Sequence, residues 1–217
     1  MNRVNNTIKY NRIHYSDYMT YILGASHLHT IFTSQIQHEL DNKILFRDCI
    51  LDGHIGLPNW SSMIPQKLAE NADKNLIWIV SDYKFNNFEY DKICALPPSE
   101  LFLNTAGFAG NIDVNFMTPG HNEVLGNHTL RIIDEIIRRF PKIKLIFWCL
   151  YTRTKRGSSY PAHLWYDVVK EKYKEHTIDI DAFTDVDGMS SCVRDGGGHP
   201  NREGYVLLDK MVRSVFL

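Results

Sequence analysis

Three residues carry the types that acyl transfer requires: Ser26, Asp195 and His199. A hydroxyl can attack a carbonyl, an imidazole can take its proton, and a carboxylate can hold the imidazole in one tautomer. Ser26 lies in Gly24-Ala25-Ser26-His27, between an apolar run and a stretch of helical period. A serine in a strand-to-helix turn sits at the carboxyl edge of a sheet, where helix amides favour negative charge, and that suits a nucleophile whose attack builds an oxyanion. The same position suits a helix cap, which serine often forms. His199 ends a glycine run that Asp195 opens, Arg194-Asp195-Gly196-Gly197-Gly198-His199-Pro200-Asn201. Such a run can bring a carboxylate to an imidazole, or it can be a plain loop before a helix.

Two further segments complete the candidate chemistry. Gly53-His54-Ile55-Gly56 leaves a second apolar run, and its glycines allow a tight turn or a close backbone approach to a ligand. A third run leads into Ser81-Asp82-Tyr83-Lys84-Phe85-Asn86-Asn87. An asparagine there could aim its amide at an oxyanion or simply make a turn.

The elements that must position these residues alternate between strand-length and helical runs. Strands are expected at Tyr18 to Leu23, Lys43 to Leu51, Leu76 to Val80, Lys144 to Leu150 and Ile178 to Phe183. Helices are expected at His27 to Leu40, near Trp60 to Asn71, at Asn122 to Phe140, around His163 to Lys174 and at Arg202 to Phe216. Five strands alternating with about five helices predict an α/β domain with a parallel sheet, which binds ligands at the carboxyl ends of its strands. The segment from Asp82 to Gly120 is long for a connection and is expected to cover those ends, with Phe85, Phe88, Tyr90, Phe102 and Phe108 as apolar cover.

Together the motifs resemble the SGNH/GDSL hydrolase superfamily. Gly24-Ala25-Ser26 resembles its first block, usually Gly-Asp-Ser; Gly53 to Gly56 resembles its second; and Asp195 to Gly204 (DGGGHPNREG) resembles its fifth, Asp-x-x-His-Pro-Asn-x-x-Gly. The order of the blocks agrees, from Tyr21 to the C-terminus. The resemblance implies a three-layer α/β/α flavodoxin-like fold with a central parallel five-stranded sheet. It makes Ser26 the nucleophile, His199 the general base and acid, and Asp195 its partner. The oxyanion hole would be the amides of Ser26 and Gly56 with an asparagine side chain, Asn86 or Asn87 being nearest and Asn104 and Asn111 further candidates. Ala25 replaces the usual aspartate, and one extra glycine separates Asp195 from His199, so Asp187 or Asp185 stand as alternative acids, and a Ser-His dyad without an acid as a further alternative.

The implied activity is hydrolysis of O-acyl esters, O-acetyl above all, of carbohydrate. If a sugar hydroxyl replaces water, the same residues make an O-acyltransferase of surface-polysaccharide biosynthesis with an acyl-coenzyme A donor. Arg153, Lys155 and Arg156 could then meet a phosphorylated donor, or form an ordinary solvated loop. A non-catalytic relative that binds carbohydrate or a partner is the third reading.

The remaining expectations come from composition. The chain has 217 residues, 44% hydrophobic and 23% charged, which predicts one globular domain over 1–217 with 1–17 as an N-terminal extension. A net charge of -1 gives no electrostatic footprint for nucleic acid. No apolar run reaches the roughly 20 residues of a membrane helix, and Met1 to Asp17 lacks a signal-like core, so a cytoplasmic protein without membrane insertion is expected. The four cysteines show no CxxC spacing and read as reduced thiols. His27 and His29 diverge on a helix and cannot jointly chelate, so neither a metal nor another cofactor is expected.

Overall fold

The computed structural model describes residues 19–24, 26–29, 31, 34–53, 60–80, 130, 133–155, 166–194 and 198–216. Within those helices, the side chains of Ser26, His29, Ser34, Pro65, 60–63 and 153–155 lie outside the description. In chain order the elements are β1 Thr20–Gly24, α1 Ser26–His29, α2 Ser34–Asp41, β2 Cys49–Gly53, α3 Trp60–Ala69 and β3 Asn75–Ile79. A helix over 133–139 follows, here α4. Then come β4 Lys144–Ile146, α5 Trp148–Lys155, α6 Tyr166–Lys172, a 3-10 turn at Ile180–Ala182, α7 Val186–Ser191 and α8 Arg202–Phe216.

The four strands form one parallel sheet in the order β2-β1-β3-β4. The sequence explains its burial. Tyr21, Ile22 and Leu23 of β1, and Leu76 to Ile79 of β3, are buried in succession. Successive strand side chains point to opposite faces, so both faces of these central strands are covered, as in parallel sheets flanked by helices. The protein is therefore an α/β chain whose arrangement is consistent with three layers. Among the described residues no helix is long and apolar enough to cross a membrane.

The five-strand expectation is corrected to four among the described residues. Where Ile178 to Phe183 was expected to extend the sheet, a single bridge pairs Leu145 with Thr177. The chain then turns, because the Asp179 carboxylate accepts from the Asp181 amide at 3.1 Å and the Tyr166 hydroxyl accepts from the Ile180 amide at 2.9 Å. Those donors are then unavailable to a strand ladder.

The expected fourth strand also ends early. Lys144–Ile146 is strand, and Trp148–Lys155 is helix. An apolar run such as KLIFWCL does not distinguish a buried strand from a buried helix by periodicity. The second strand begins at Cys49 rather than Lys43. Before it, Lys43, Phe46 and Asp48 adopt positive φ, and the Phe46 amide donates to Asp209 Oδ1 of α8 at 2.6 Å. The helix expected over His27 to Leu40 is two helices, α1 and α2. Of the expected Asn122 to Phe140 helix, 133–139 is helical with Ile133 and Ile136 buried, and 122–129 lies outside the described residues.

Candidate active site

In a parallel sheet every strand exit lies on one edge, and here two exits matter. Ser26 opens α1 two residues beyond the end of β1, and Trp148 opens α5 two residues beyond the end of β4. In the order β2-β1-β3-β4, successive connections run to opposite sides of β1, so the crevice of such a sheet falls at the β1/β3 boundary.

The loop carrying His199 reaches across this edge, and local contacts fix its path. The Arg194 amide donates to the His199 carbonyl at 2.7 Å, and Val193 bridges Pro200. The Trp148 indole donates to the Gly198 carbonyl at 2.8 Å, tying the loop to the exit of β4. Gly198 has φ 77°, and a Cβ there would run into Thr152 Oγ1, so this position requires glycine on two grounds. Asn201 Oδ1 accepts from the Gly204 amide at 3.0 Å and caps α8, while its Nδ2 donates to the Ser191 carbonyl at 2.7 Å. A Cβ on Gly204 would strike the Cys192 carbonyl, so the helix packs closely here only because residue 204 is glycine. Each of Gly198, Asn201 and Gly204 thus helps place His199 at the head of α8.

The exit of β1 meets this loop through His27, the residue after Ser26. Its ring stacks on that of His199, with centroids 4.5 Å apart and planes 18° from parallel. His27 is 6% exposed. Its carbonyl accepts from the Tyr205 hydroxyl of α8 at 2.6 Å. Its ring nitrogens lie 3.3 and 3.2 Å from Cys149 Sγ of α5. A sulfur equally far from both nitrogens lies over the ring face, because an in-plane approach to both would collide with Cε1. The contact is therefore packing against the ring and not a single S–H···N bond.

Cys149 competes with Ser26 as a nucleophile on residue type alone, and its setting decides against it. It is 1% exposed, and burial pushes its thiol up to about 12. Reactive cysteines need the opposite, a thiolate held near an accessible positive charge. Cys49 and Cys192 are free thiols as well, raised by burial.

The predicted site residues fall into three groups. The backbone of Ser26 and the whole of His199 come to the same edge, linked through His27. Gly56, Asn86, Asn87 and Asp195 lie outside the described residues, as do the further asparagines Asn104 and Asn111, the Asp82 to Gly120 segment with its aromatic residues, and Arg156. Of the alternative acids, Asp185 caps α7 by accepting from the Gly188 amide at 2.7 Å, and Asp187 is exposed in that helix's first turn. Arg153 and Lys155 lie at the end of α5. Sequence reasoning did not single out Trp148, Thr152 or Tyr205. It weighed His27 only as a metal ligand, although its place beside Ser26 was a usable signal. Among the described residues, no three His, Cys, Asp or Glu side chains are grouped to hold a metal ion.

No family model matches the chain, and no curated protein matches it. It is similar to a solved structure from Streptococcus pneumonia provisionally described as a platelet activating factor, at 14% identity and a TM-score of 0.45, over 93% of this chain and 85% of that one. At that TM-score the likeness is too loose to assign a fold or an activity.

Proposed function

We propose that this chain is a serine-dependent ester hydrolase of the SGNH/GDSL type, with the flavodoxin-like fold of that superfamily, acting on O-acyl esters of carbohydrate, O-acetyl above all. The observation that carries the reading is the stack of His27 on His199, which sets the turn of Ser26 against the proposed base at the carboxyl edge of the sheet. The sheet order β2-β1-β3-β4 also supports it, being the first four places of the flavodoxin arrangement.

In the proposed reaction Ser26 Oγ attacks the ester carbonyl carbon while His199 takes the hydroxyl proton. The tetrahedral oxyanion is held by the Ser26 and Gly56 amides and by Asn86 or Asn87. As the C–O bond to the sugar breaks, His199 returns the proton to the leaving alcohol. Water then attacks the acyl-serine as His199 takes its proton, and when the acyl C–Oγ bond breaks His199 returns that proton to Ser26 Oγ, releasing the acid and the free hydroxyl. Asp195 orients the imidazole throughout.

The test is a fluorophosphonate probe on the purified chain, with Ser26→Ala and His199→Ala beside it, each weighed intact. One adduct on the wild type and none on either variant is expected. Turnover of p-nitrophenyl acetate identifies a hydrolase. Acetyl transfer from acetyl-coenzyme A to a sugar, without appreciable hydrolysis, identifies the O-acyltransferase instead. A folded wild type that takes no probe overturns the serine mechanism and leaves a binding protein.

A further inference from the structure

The geometry points to His27 as a positioning residue: its buried ring is the platform that holds the His199 ring in the plane the Ser26 turn requires, a role that rests on the serine-hydrolase reading above. An imidazole turns about a broad, roughly two-fold terminal torsion, so its own rotamer does little to aim its nitrogens. A general base must nevertheless meet its proton within hydrogen-bond reach. A near-parallel stack at 4.5 Å removes that freedom by fixing the ring plane.

The platform is itself held from three elements. It belongs to α1 and directly follows Ser26, so platform and serine share one turn. Cys149 Sγ of α5 packs over its ring, and Tyr205 of α8 grips its carbonyl. The base is thereby aligned to a group covalently next to the nucleophile, and small errors in the path of the His199 loop are not passed on to the ring plane.

The stack also suits the charge that develops. When His199 takes the serine proton, the cationic ring lies against the aromatic face of His27, a favourable pairing. Among the described residues, the titratable groups facing His27 include the Cys149 thiol, the Tyr205 phenol and His199 itself.

The experiment compares the full chain as wild type, His27→Leu and His27→Phe. Leucine keeps a similar apolar bulk without a flat ring, and phenylalanine keeps the ring without the nitrogens. In wild type, NMR should show a ring-to-ring NOE between His27 and His199 and an upfield ring-current shift of the His199 protons. In His27→Leu that shift should vanish and kcat on p-nitrophenyl acetate should fall about 10- to 100-fold, with KM nearly constant. His27→Phe should keep the shift and restore most of the rate. A folded His27→Leu with wild-type kcat overturns the role, and so does a wild type without the NOE. Should leucine unfold the chain, the NOE and the rate of His27→Phe still decide: a missing NOE, or a rate as low as expected for leucine, overturns it. A wild type that takes no probe on Ser26 overturns the hydrolase reading itself, and is recognised because the NOE does not depend on turnover.

Discussion

Replacing Gly198 by alanine tests how the His199 loop is held. Two penalties apply. A φ of 77° costs an alanine about 1 kcal/mol, and the added Cβ meets Thr152 Oγ1 with Thr152 Cβ only 3.2 Å away. Overpacking of that kind costs about 1–3 kcal/mol. Gly198→Ala should therefore lose about 2–4 kcal/mol, roughly 5–15 °C in Tm for a chain of this size. Thr152→Ala alone should lose about 1–2 kcal/mol, since it removes the bond from Thr152 Oγ1 to the Cys149 carbonyl and leaves a small void. In the double variant the clash with Oγ1 is gone, while the tight 3.2 Å approach to the Cβ of residue 152 and the φ penalty stay. A double-mutant cycle by chemical denaturation should then return a favourable coupling of about 1–2 kcal/mol. Strictly additive losses, or a Gly198→Ala chain as stable as wild type, would refute this account of the loop.

Tyr205→Phe should destabilise the chain by about 1–3 kcal/mol, because the buried His27 carbonyl loses its hydroxyl donor, and should slow Ser26 labelling at temperatures where the chain is folded. Intact-mass kinetics at two temperatures separate the two effects. Asn201→Ala should cost about 1 kcal/mol through the lost α8 cap, measured by urea denaturation. Cys149 should resist iodoacetamide at pH 8 in the native chain and react once unfolded, and rapid native alkylation at that site, mapped by peptide mass, would contradict its raised thiol. Glu135, 4% exposed beside Arg138 and Arg139, has its carboxyl held down to about 2 from an ordinary 4.5. A lowered folded value stabilises above pH 4.5 and is lost as pH falls toward 2. Glu135→Gln should therefore cost about 1–2 kcal/mol at pH 7, moderated by the exposure of Arg138, and the gap to wild type should close in acid melts.

Legibility in the sequence followed the range of the contacts. The bounds of α8 were readable because a cap, an apolar stripe and a terminal aromatic all lie within it. The central strands β1 and β3 were readable because their burial is continuous. KLIFWCL was misread because its apolar run fits either period, and IDIDAF because the Asp179 cap and the Tyr166 hydroxyl took amides that a strand would use. The candidate site residues Ser26 and His199 were read from local blocks. The stack of His27 on His199 and the grip of Tyr205 on His27 were not, because contacts between residues 172 and 178 apart leave no periodic trace.

The reach of α8 has a consequence for how the protein is made. Tyr205 holds α1, Arg202 pairs with Glu39 of α2 at 2.6 Å, and Asp209 holds the turn before β2, across separations of 163 to 178 residues. At ribosomal speeds of about 5–20 residues per second, the first helices wait on the order of ten seconds or more for these partners. Throughout that interval the serine turn has neither its tie nor its proposed base, and a nascent chain halted before His199 would carry the proposed nucleophile without either. The proposed site is thus completed only when α8 folds back over the strands that emerged first.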